Sequence, residues 1–217
     1  MDLALIAGQI ATLQSDALLP LTDHFAADDS TWCGDSYIVC LRPNATQSAT
    51  NWTNESGGSA TYQSVDDIVG GTIDSDSTFV QSTSANAVFS VGLESASSRG
   101  IPPGSTIVAV KGIAVCRDES QVVAWQIGLN WNGTDTYLTT LDGGASYEGR
   151  NILRTTNGGG GAIAYSDLST LRVQVKRTQS QARNLRCTEM ALMVEFIPPP
   201  IAQTFACNQA VKRGAFF

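Results

Sequence analysis

The chain has 217 residues, of which 42% are hydrophobic, so it can bury a sizeable core in one all-β domain with extensions. Its net charge of -7 creates a field that repels phosphate backbones and anionic membranes, which argues against nucleic acid or a membrane as a direct partner. Only 15% of the residues are charged, and a surface with few charges is typical of β proteins that contact other subunits.

The N-terminal segment, residues 1–35, is predicted to be an arm that contains a short amphipathic helix. Apolar residues recur in it at helical spacing, Asp2 is a suitable N-cap, and Pro20 ends the helix. Asp2 and the interrupted apolar run argue against a signal peptide or a membrane span. So short a helix must dock, on its own domain or on a neighbouring subunit, through its apolar stripe. The stripe consists of Leu3, Ile6, Ile10 and Leu13.

Residues 36–198 are predicted to form the β domain. "SYIVCLRP" indicates a strand stopped by Pro43, and from residue 79 onward short strands alternate with Gly, Asn and Asp turns. In "QVVAWQIGLNWNG" the residues Trp125, Ile127, Leu129 and Trp131 share one face. The segments "LRVQVKRT" and "RCTEMALMVEF" repeat this alternation, and the second places Glu189 and Glu195 on the opposite, wetted face. Gly112 marks a change of phase that predicts a β-bulge.

These patterns predict seven or eight strands and no helix long enough for a parallel crossover. The predicted fold class is all-β, an antiparallel two-sheet jelly-roll sandwich with a short N-terminal helix and extended terminal arms. An immunoglobulin-like sandwich stays open, because strand count and turns do not fix the connections.

After "FIPPP", residues 199–217 are predicted to be an extended C-terminal tail, because three consecutive prolines end the last strand. Phe205, Phe216 and Phe217 follow no period. The tail is either disordered or docked on another chain, and in the second case these three residues are interface residues.

The sequence predicts neither a catalytic triad nor a metal site. His24 is the only histidine and precedes the β domain, so it cannot serve a nucleophile inside the sandwich. The cysteines are odd in number and lack the close spacing of a zinc knuckle, so we interpret them as free thiols, mostly buried, outside an oxidising compartment. They are Cys33, Cys40, Cys116, Cys187 and Cys207.

Paired carboxylates are the remaining catalytic option, as in a β-sandwich glycosidase. The pairs are Asp66 with Asp67 and Asp74 with Asp76, but adjacent aspartates point apart and nothing supplies an apolar pocket. We therefore predict no enzyme activity and no cofactor. "NGGGG" lacks the Lys-Ser/Thr of a P-loop and indicates a flexible connection.

A sugar-binding aromatic platform is a further possibility, built from Trp125, Trp131 and Tyr137. The alternation with Ile127 and Leu129 places both tryptophans on the core face instead.

One spaced pattern of turn and aromatic residues resembles a β-sandwich module of tailed-bacteriophage virion proteins. It comprises Trp52-Thr53, Gly57-Gly58, Tyr62, the "VDDI" segment at 65–68 and the Asp-rich stretch at 74–80, and "IPPGSTIVAVKGIAVCR" and "SDLSTLRVQV" fit it as well. The resemblance spans residues 44–198. In it Trp52, Tyr62 and Asp66 belong to a structural strap along the sandwich, with "SVDDI" as one helical turn capped by Ser64.

The resemblance implies a structural virion protein of the neck, tail, baseplate or head surface, assembled in the bacterial cytoplasm. Its partners would be other virion proteins and copies of itself, joined through the arms. The alternative is a carbohydrate- or receptor-binding module of a tail fibre, with a host glycan as its ligand.

Overall fold

The computed structural model describes residues 36–66, 77–118, 124–138, 141–142, 144–180 and 183–200. Within these ranges there are twelve strands and three short 3-10 helices, at Tyr62–Ser64, Ser97–Arg99 and Tyr165–Ser169. None of the helices in these ranges is long and apolar enough to span a membrane. The strands are β1 (Tyr37–Leu41), β2 (Pro43–Ser48), β3 (Thr53–Asn54), β4 (Val80–Ser82), β5 (Val88–Leu93), β6 (Thr106–Asp118), β7 (Ala124–Trp131), β8 (Thr134–Tyr137), β9 (Leu141–Asp142), β10 (Glu148–Arg154), β11 (Leu171–Arg177) and β12 (Leu185–Ile197).

The strands form two antiparallel sheets with jelly-roll connections. Sheet A has the order β10-β6-β12-β4-β3, and β1 pairs with β12 beyond β4; sheet B has the order β2-β5-β11-β7-β8, and β9 pairs with β7. From β4 onward the chain crosses to the other sheet at each connection except those that join β7, β8 and β9, which all belong to sheet B. The last described strand, β12, lies between β4 and β6. This is the double Greek key of a jelly roll, which confirms the predicted antiparallel two-sheet sandwich and excludes the immunoglobulin-like alternative. The predicted N-terminal helix and residues 201–217 of the predicted tail lie outside the described ranges.

The core lies between the two sheets and follows the predicted alternation. Trp125, Ile127, Leu129 and Trp131 of β7 are buried, as are Leu171, Val173 and Val175 of β11. On β12, Met190, Leu192, Val194 and Phe196 face them. Period-two alternation therefore predicted the core side of all three strands.

The predicted bulge at Gly112 is wrong. β6 pairs with β12 in unbroken register through Lys111 and Gly112, and the extra residues are Val108 on β6 and Thr188 on β12. Ile107 and Val110 both belong to the core although they are three residues apart, because the unpaired Val108 changes the phase between them.

The outer face of sheet A is not the wetted face that the sequence predicted. Glu189 and Glu195 of β12 are only 3% and 8% exposed, and Lys111 of β6 is 1% exposed. Ser36 donates a hydrogen bond of 2.8 Å from its hydroxyl to Glu195 Oε1. Burial lowers the pKa of Lys111, because the low dielectric disfavours its charged form.

The strand predicted before Pro43 is confirmed as β1, which ends at Leu41, and Pro43 begins β2 in the other sheet. One further detail of the N-terminal part differs from the prediction. Ser64 does not cap a helical turn that follows it; it is the last residue of the 3-10 helix that begins at Tyr62, and Asp66 forms a backbone bridge with Glu189.

Gly112 has a packing role in place of the predicted bulge. A Cβ at this position would lie 2.9 Å from Leu129 Cδ2 in sheet B and 3.1 Å from Ile152 Cγ2 in β10. The absence of a side chain therefore lets the two sheets approach at this point.

We predict that Gly112→Ala lowers the free energy of unfolding by about 1–3 kcal/mol, because the new methyl group overpacks a filled core. Urea denaturation of the purified protein measures this. Gly149→Ala on β10 is the matched control, because its Cβ would approach only Val115 Cγ2, at 3.9 Å. Equal stability of the two variants would contradict the packing argument.

Candidate functional site

A pocket of about 190 Å³ opens at one end of the sandwich, where two loops meet the last residue of β7. The β7–β8 hairpin forms one wall, the glycine-rich loop after β10 forms the second, and the 3-10 helix before β11 forms the third. The lining residues are Trp131, Asn132, Thr134, Asn157, Gly158, Gly159, Asp167 and Thr170.

The hairpin wall is a two-residue turn. Asn132 and Gly133 have φ values of +48° and +94°, the left-handed conformation that an Asn-Gly hairpin turn requires. Gly133 donates its backbone N–H to Asn130 Oδ1 at 3.0 Å, which braces the turn from the preceding strand. The side chains of Asn132 and Thr134 are exposed and line the pocket.

The glycine-rich wall is organised by Asn157 and is not the flexible connection that the sequence predicted. Asn157 Oδ1 accepts hydrogen bonds from the N–H groups of Gly159 and Gly161, each at 3.1 Å. Its Nδ2 donates to the Ala162 carbonyl at 3.3 Å. The amide side chain of Asn157 therefore satisfies backbone N–H and C=O groups of the loop and fixes its conformation.

Gly158 is the residue of this loop that meets the core. A Cβ there would lie 2.9 Å from Trp131 Cβ and 3.1 Å from Cγ and Cδ1 of its indole. Trp131 is 7% exposed, so the loop covers the indole except for the part that lines the pocket.

Asp167 supplies the carboxylate of the third wall. Its Oδ2 accepts the backbone N–H of Ala164 at 2.9 Å and the Nδ2 of Asn157 at 3.4 Å, so the carboxylate is oriented by both neighbouring segments. The Thr170 hydroxyl donates to the Asp167 carbonyl at 3.3 Å. The glycine-rich wall and the 3-10 helix wall are thus joined by their own polar groups before any ligand binds.

The chemistry of the lining is neutral hydrogen bonding with one anionic group. Asn and Thr side chains both donate and accept, a carboxylate only accepts, and the two glycines leave backbone groups uncovered. Among the described residues, the lining contains no cation, thiol or histidine, and Asp167 is its only carboxylate. A volume below the ~300–1,000 Å³ of drug-sized sites admits a small polar molecule or one unit of a longer chain.

The outer face of sheet B carries a second polar cluster on the far side of the same hairpin. Asp135 accepts hydrogen bonds from Gln174 Nε2 at 2.9 Å, from Asn130 Nδ2, and from the Tyr137 hydroxyl at 3.4 Å. The Tyr137 ring covers Gly128, and Lys176 Nζ lies 5.3 Å from the ring centroid. Burial first, and then Asp135, raise the pKa of Tyr137. Because its donors and acceptors are used internally, we interpret this cluster as structural.

The three aromatic residues considered for a sugar platform are divided between two faces. Trp125 is 1% exposed, so it lies in the core as the alternation predicted, and Arg150 lies 4.8 Å from its ring centroid. Tyr137 is on the opposite face of sheet B. Only Trp131 reaches the pocket.

The residues proposed for the strap lie at the edge of the sandwich, away from the pocket at Trp131. Trp52 is buried, with its indole 5.8 Å from the Phe89 ring. Tyr62 packs partly against the core, and its backbone N–H donates to Thr46 Oγ1 at 2.8 Å. The other predicted residues lie outside the described ranges. They are Leu3, Ile6, Ile10, Leu13, His24, Asp67, Asp74, Asp76, Phe205, Phe216 and Phe217.

Sequence reasoning missed the pocket residues Thr134, Asn157 and Asp167. The signals were present as the Asn132-Gly133 turn and the run of four glycines after Asn157. Neither signal states that the two loops meet over Trp131. In the described part of the chain, no group of three or more His, Cys, Asp or Glu residues is placed to hold a metal ion.

Comparisons with known proteins provide no family assignment. No family model matches the chain, and no curated protein matches its sequence. Among solved structures, Family 16 Carbohydrate Binding Module-2 matches with 10% identity, covering 53% of this chain and 75% of that one, at a TM-score of 0.31. The CBM22-1 xylan-binding domain from Paenibacillus barcinonensis Xyn10C matches with 8% identity, covering 73% and 97%, at a TM-score of 0.35.

The K3 cleaved adhesin domain of Lys-gingipain from Porphyromonas gingivalis w83 matches with 12% identity, covering 73% and 98%, at a TM-score of 0.36. Similarities of this size do not bear on function.

We predict that Gly158→Ala displaces the glycine-rich loop from Trp131, because the added methyl group would overlap the indole. Hydrogen exchange of the amides of Gly159 and Gly161 should become faster as their bonds to Asn157 weaken. Gly159→Ala is the matched control, since its Cβ would lie 3.5 Å from Asn157 Oδ1, an ordinary contact. Unchanged protection in Gly158→Ala would show that the loop does not depend on this contact.

Proposed function

We propose that this protein is a non-catalytic carbohydrate-binding β-sandwich whose loop-end pocket holds one sugar unit. The observation that carries the proposal is the composition of the pocket: amide, hydroxyl and carboxylate side chains converge on a small volume beside an indole. A sugar presents many hydroxyl groups, each both a donor and an acceptor, on a ring with apolar C–H faces. The lining supplies hydrogen-bond donors and acceptors for the hydroxyl groups and an indole for an apolar face.

The electrostatics of the chain favour a neutral ligand over an anionic one. The net charge is -7, and the described lining of the pocket adds the Asp167 carboxylate without a cation. A phosphate or a carboxylated sugar would meet repulsion there. A neutral sugar avoids this repulsion and can donate two hydroxyl protons to Asp167 and its neighbours, in hydrogen bonds strengthened by the charge of the acceptor.

The same lining supports binding without hydrolysis. Glycoside hydrolysis ordinarily requires a pair of carboxyl groups on either side of the scissile bond. Asp167 is the only carboxylate that lines the pocket within the described ranges, and two neighbouring groups hold its Oδ2 by hydrogen bonds. The described lining therefore fits recognition of a sugar better than its hydrolysis.

We predict that the purified chain binds a neutral glycan on a glycan array, and that two pocket variants weaken the interaction. Thr134→Ala removes one neutral hydrogen bond and should raise Kd roughly 5- to 10-fold. Asp167→Asn removes a charged acceptor and should raise Kd roughly 10- to 100-fold. Isothermal titration calorimetry with the best array ligand measures both.

Thr106→Ala is the matched control, because Thr106 is an exposed strand residue of sheet A outside the pocket. Its Kd should equal that of the unaltered chain, and circular dichroism should show all three variants folded. Absence of binding to any array glycan, or equal weakening by Thr106→Ala, would refute the proposal.

A structural role in a tailed-phage particle is the second proposal, and one corner of the sandwich favours it. Tyr37 and Phe196 are register partners with rings 5.8 Å apart, so residues 1–35 and 201–217 both join the described part at this corner. Tyr37, Ile38 and Ile197 are 59%, 42% and 40% exposed there. No described strand pairs with the outer edge of β1. An exposed apolar edge strand is a template for contact with another chain.

In this second proposal the corner joins copies of the chain, or the chain and other virion proteins, and the protein is located in the virion. The two proposals are compatible, because the pocket and the corner involve different residues. Together they describe a particle component that binds host glycan, as a receptor-binding module of a tail fibre would.

We predict that replacing Ile38 and Ile197 together by threonine reduces self-association of the full chain, measured by sedimentation velocity, because it removes apolar contact area. Val88→Thr is the control, since Val88 lies on the outer face of sheet B and the change is of the same chemical kind. A mass distribution that stays the same in the double variant would contradict a role of this corner in assembly.

A further inference from the structure

Two of the free cysteines form a cross-strand pair in the core. Cys116 of β6 and Cys187 of β12 are register partners, and both are 0% exposed. Both belong to the core between the sheets, so their side chains leave the sheet on the same side. Directly opposed residues of antiparallel strands have Cα atoms about 4.5–5.5 Å apart, which lies within the range of about 4.4–6.8 Å that disulfides span.

We propose that Cys116 and Cys187 are an oxidisable dithiol that closes to an intrachain disulfide and locks the last strand of the jelly roll to β6. The register supplies the geometry, and the strands need not separate to accommodate the bond. Cys40, the other cysteine in the described ranges, lies on β1 and is only half-buried, so it does not share this environment.

The surroundings of the pair keep it reduced until an oxidant reaches it. The Cys187 thiol donates to the Glu189 carbonyl at 3.6 Å, next to the bulge at Thr188. Burial, and then the hydrogen bond to Cys187, raise the pKa of the Cys116 thiol well above its usual value. Because the thiolate is the attacking species, this shift slows exchange at neutral pH and lets it accelerate as the pH rises.

The bond would form by exchange with a low-molecular-weight disulfide such as oxidised glutathione, which reaches the buried thiols when the protein opens locally. One cysteine thiolate attacks the glutathione disulfide, which gives a mixed disulfide and releases one glutathione thiolate. The second cysteine thiolate then attacks the protein sulfur of the mixed disulfide and releases the second. The protein loses two electrons and two protons, and the two glutathione molecules gain them.

The test uses the full chain with Cys33, Cys40 and Cys207 replaced by serine, so that only the pair remains. The native protein is incubated with oxidised glutathione at pH 8.5, then denatured in the presence of iodoacetamide and measured by mass spectrometry. We expect no alkylated cysteine and a cross-linked peptide that joins Cys116 to Cys187. Since the bond closes a loop of about 70 residues, the melting temperature should rise by roughly 10 °C.

The matched control adds Cys187→Ala to the same background, which should remain alkylated or carry one glutathione and show no thermal gain. Treating the oxidised protein with dithiothreitol should return the melting temperature to its starting value. Two alkylated cysteines after oxidation, a stable glutathione adduct on the intact pair, or a lower melting temperature of the cross-linked form would each overturn the inference. The outcome does not depend on whether the pocket binds sugar.

Discussion

The pairing of β6 with β12 is the interaction on which the rest of the structure depends. The two strands are thirteen residues each and remain paired from Thr106 with Ile197 to Asp118 with Leu185, with one extra residue on each strand. Since β12 is the last of the described strands, it completes sheet A by entering between β6 on one side and β4 and β1 on the other. Its partners come from distant parts of the chain, so loop closure precedes most of the stabilising contacts and folding is expected to be slow.

This framework positions the pocket by holding the end of β7 fixed. Trp131 is the last residue of β7 and pairs with Leu171 of β11, so its indole is anchored in sheet B. The hairpin after it and the loop after β10 then meet across the indole, and Gly158 permits the contact. Asn157 and Asp167 hold the loop and the 3-10 helix together by side-chain hydrogen bonds. A site held in this way loses little conformational freedom on binding, which suits the proposed recognition of a sugar.

The sequence predicted the features that depend on local periodicity, and it did not predict those that depend on contacts between distant segments. Alternation identified the inward residues of β7, β11 and β12, because it follows directly from strand geometry. The alternation pattern was misleading at Gly112. The sequence predicted a bulge there, but the glycine is required because Leu129 of the other sheet packs against it. The alternation predicted that Glu189 and Glu195 point away from the core, but it did not predict that both are buried. Burial on that face depends on contacts that the alternation of one strand does not show. The pocket could not be predicted, because the hairpin of β7–β8 and the loop at Asn157 are separated by more than twenty residues and meet only in the fold.

The two proposed functions use different parts of the molecule. The loop end offers neutral and anionic hydrogen-bonding groups to a sugar, whereas the β1 edge offers exposed apolar side chains to another protein chain. Amide NMR spectra of the full chain, recorded during titration with a neutral glycan, test whether the loop-end pocket is the sugar site. We expect shifts concentrated in residues 131–134, 157–159 and 167–170. Shifts confined to the outer face of sheet B around Asp135 and Tyr137, or no shifts with any glycan, would contradict it.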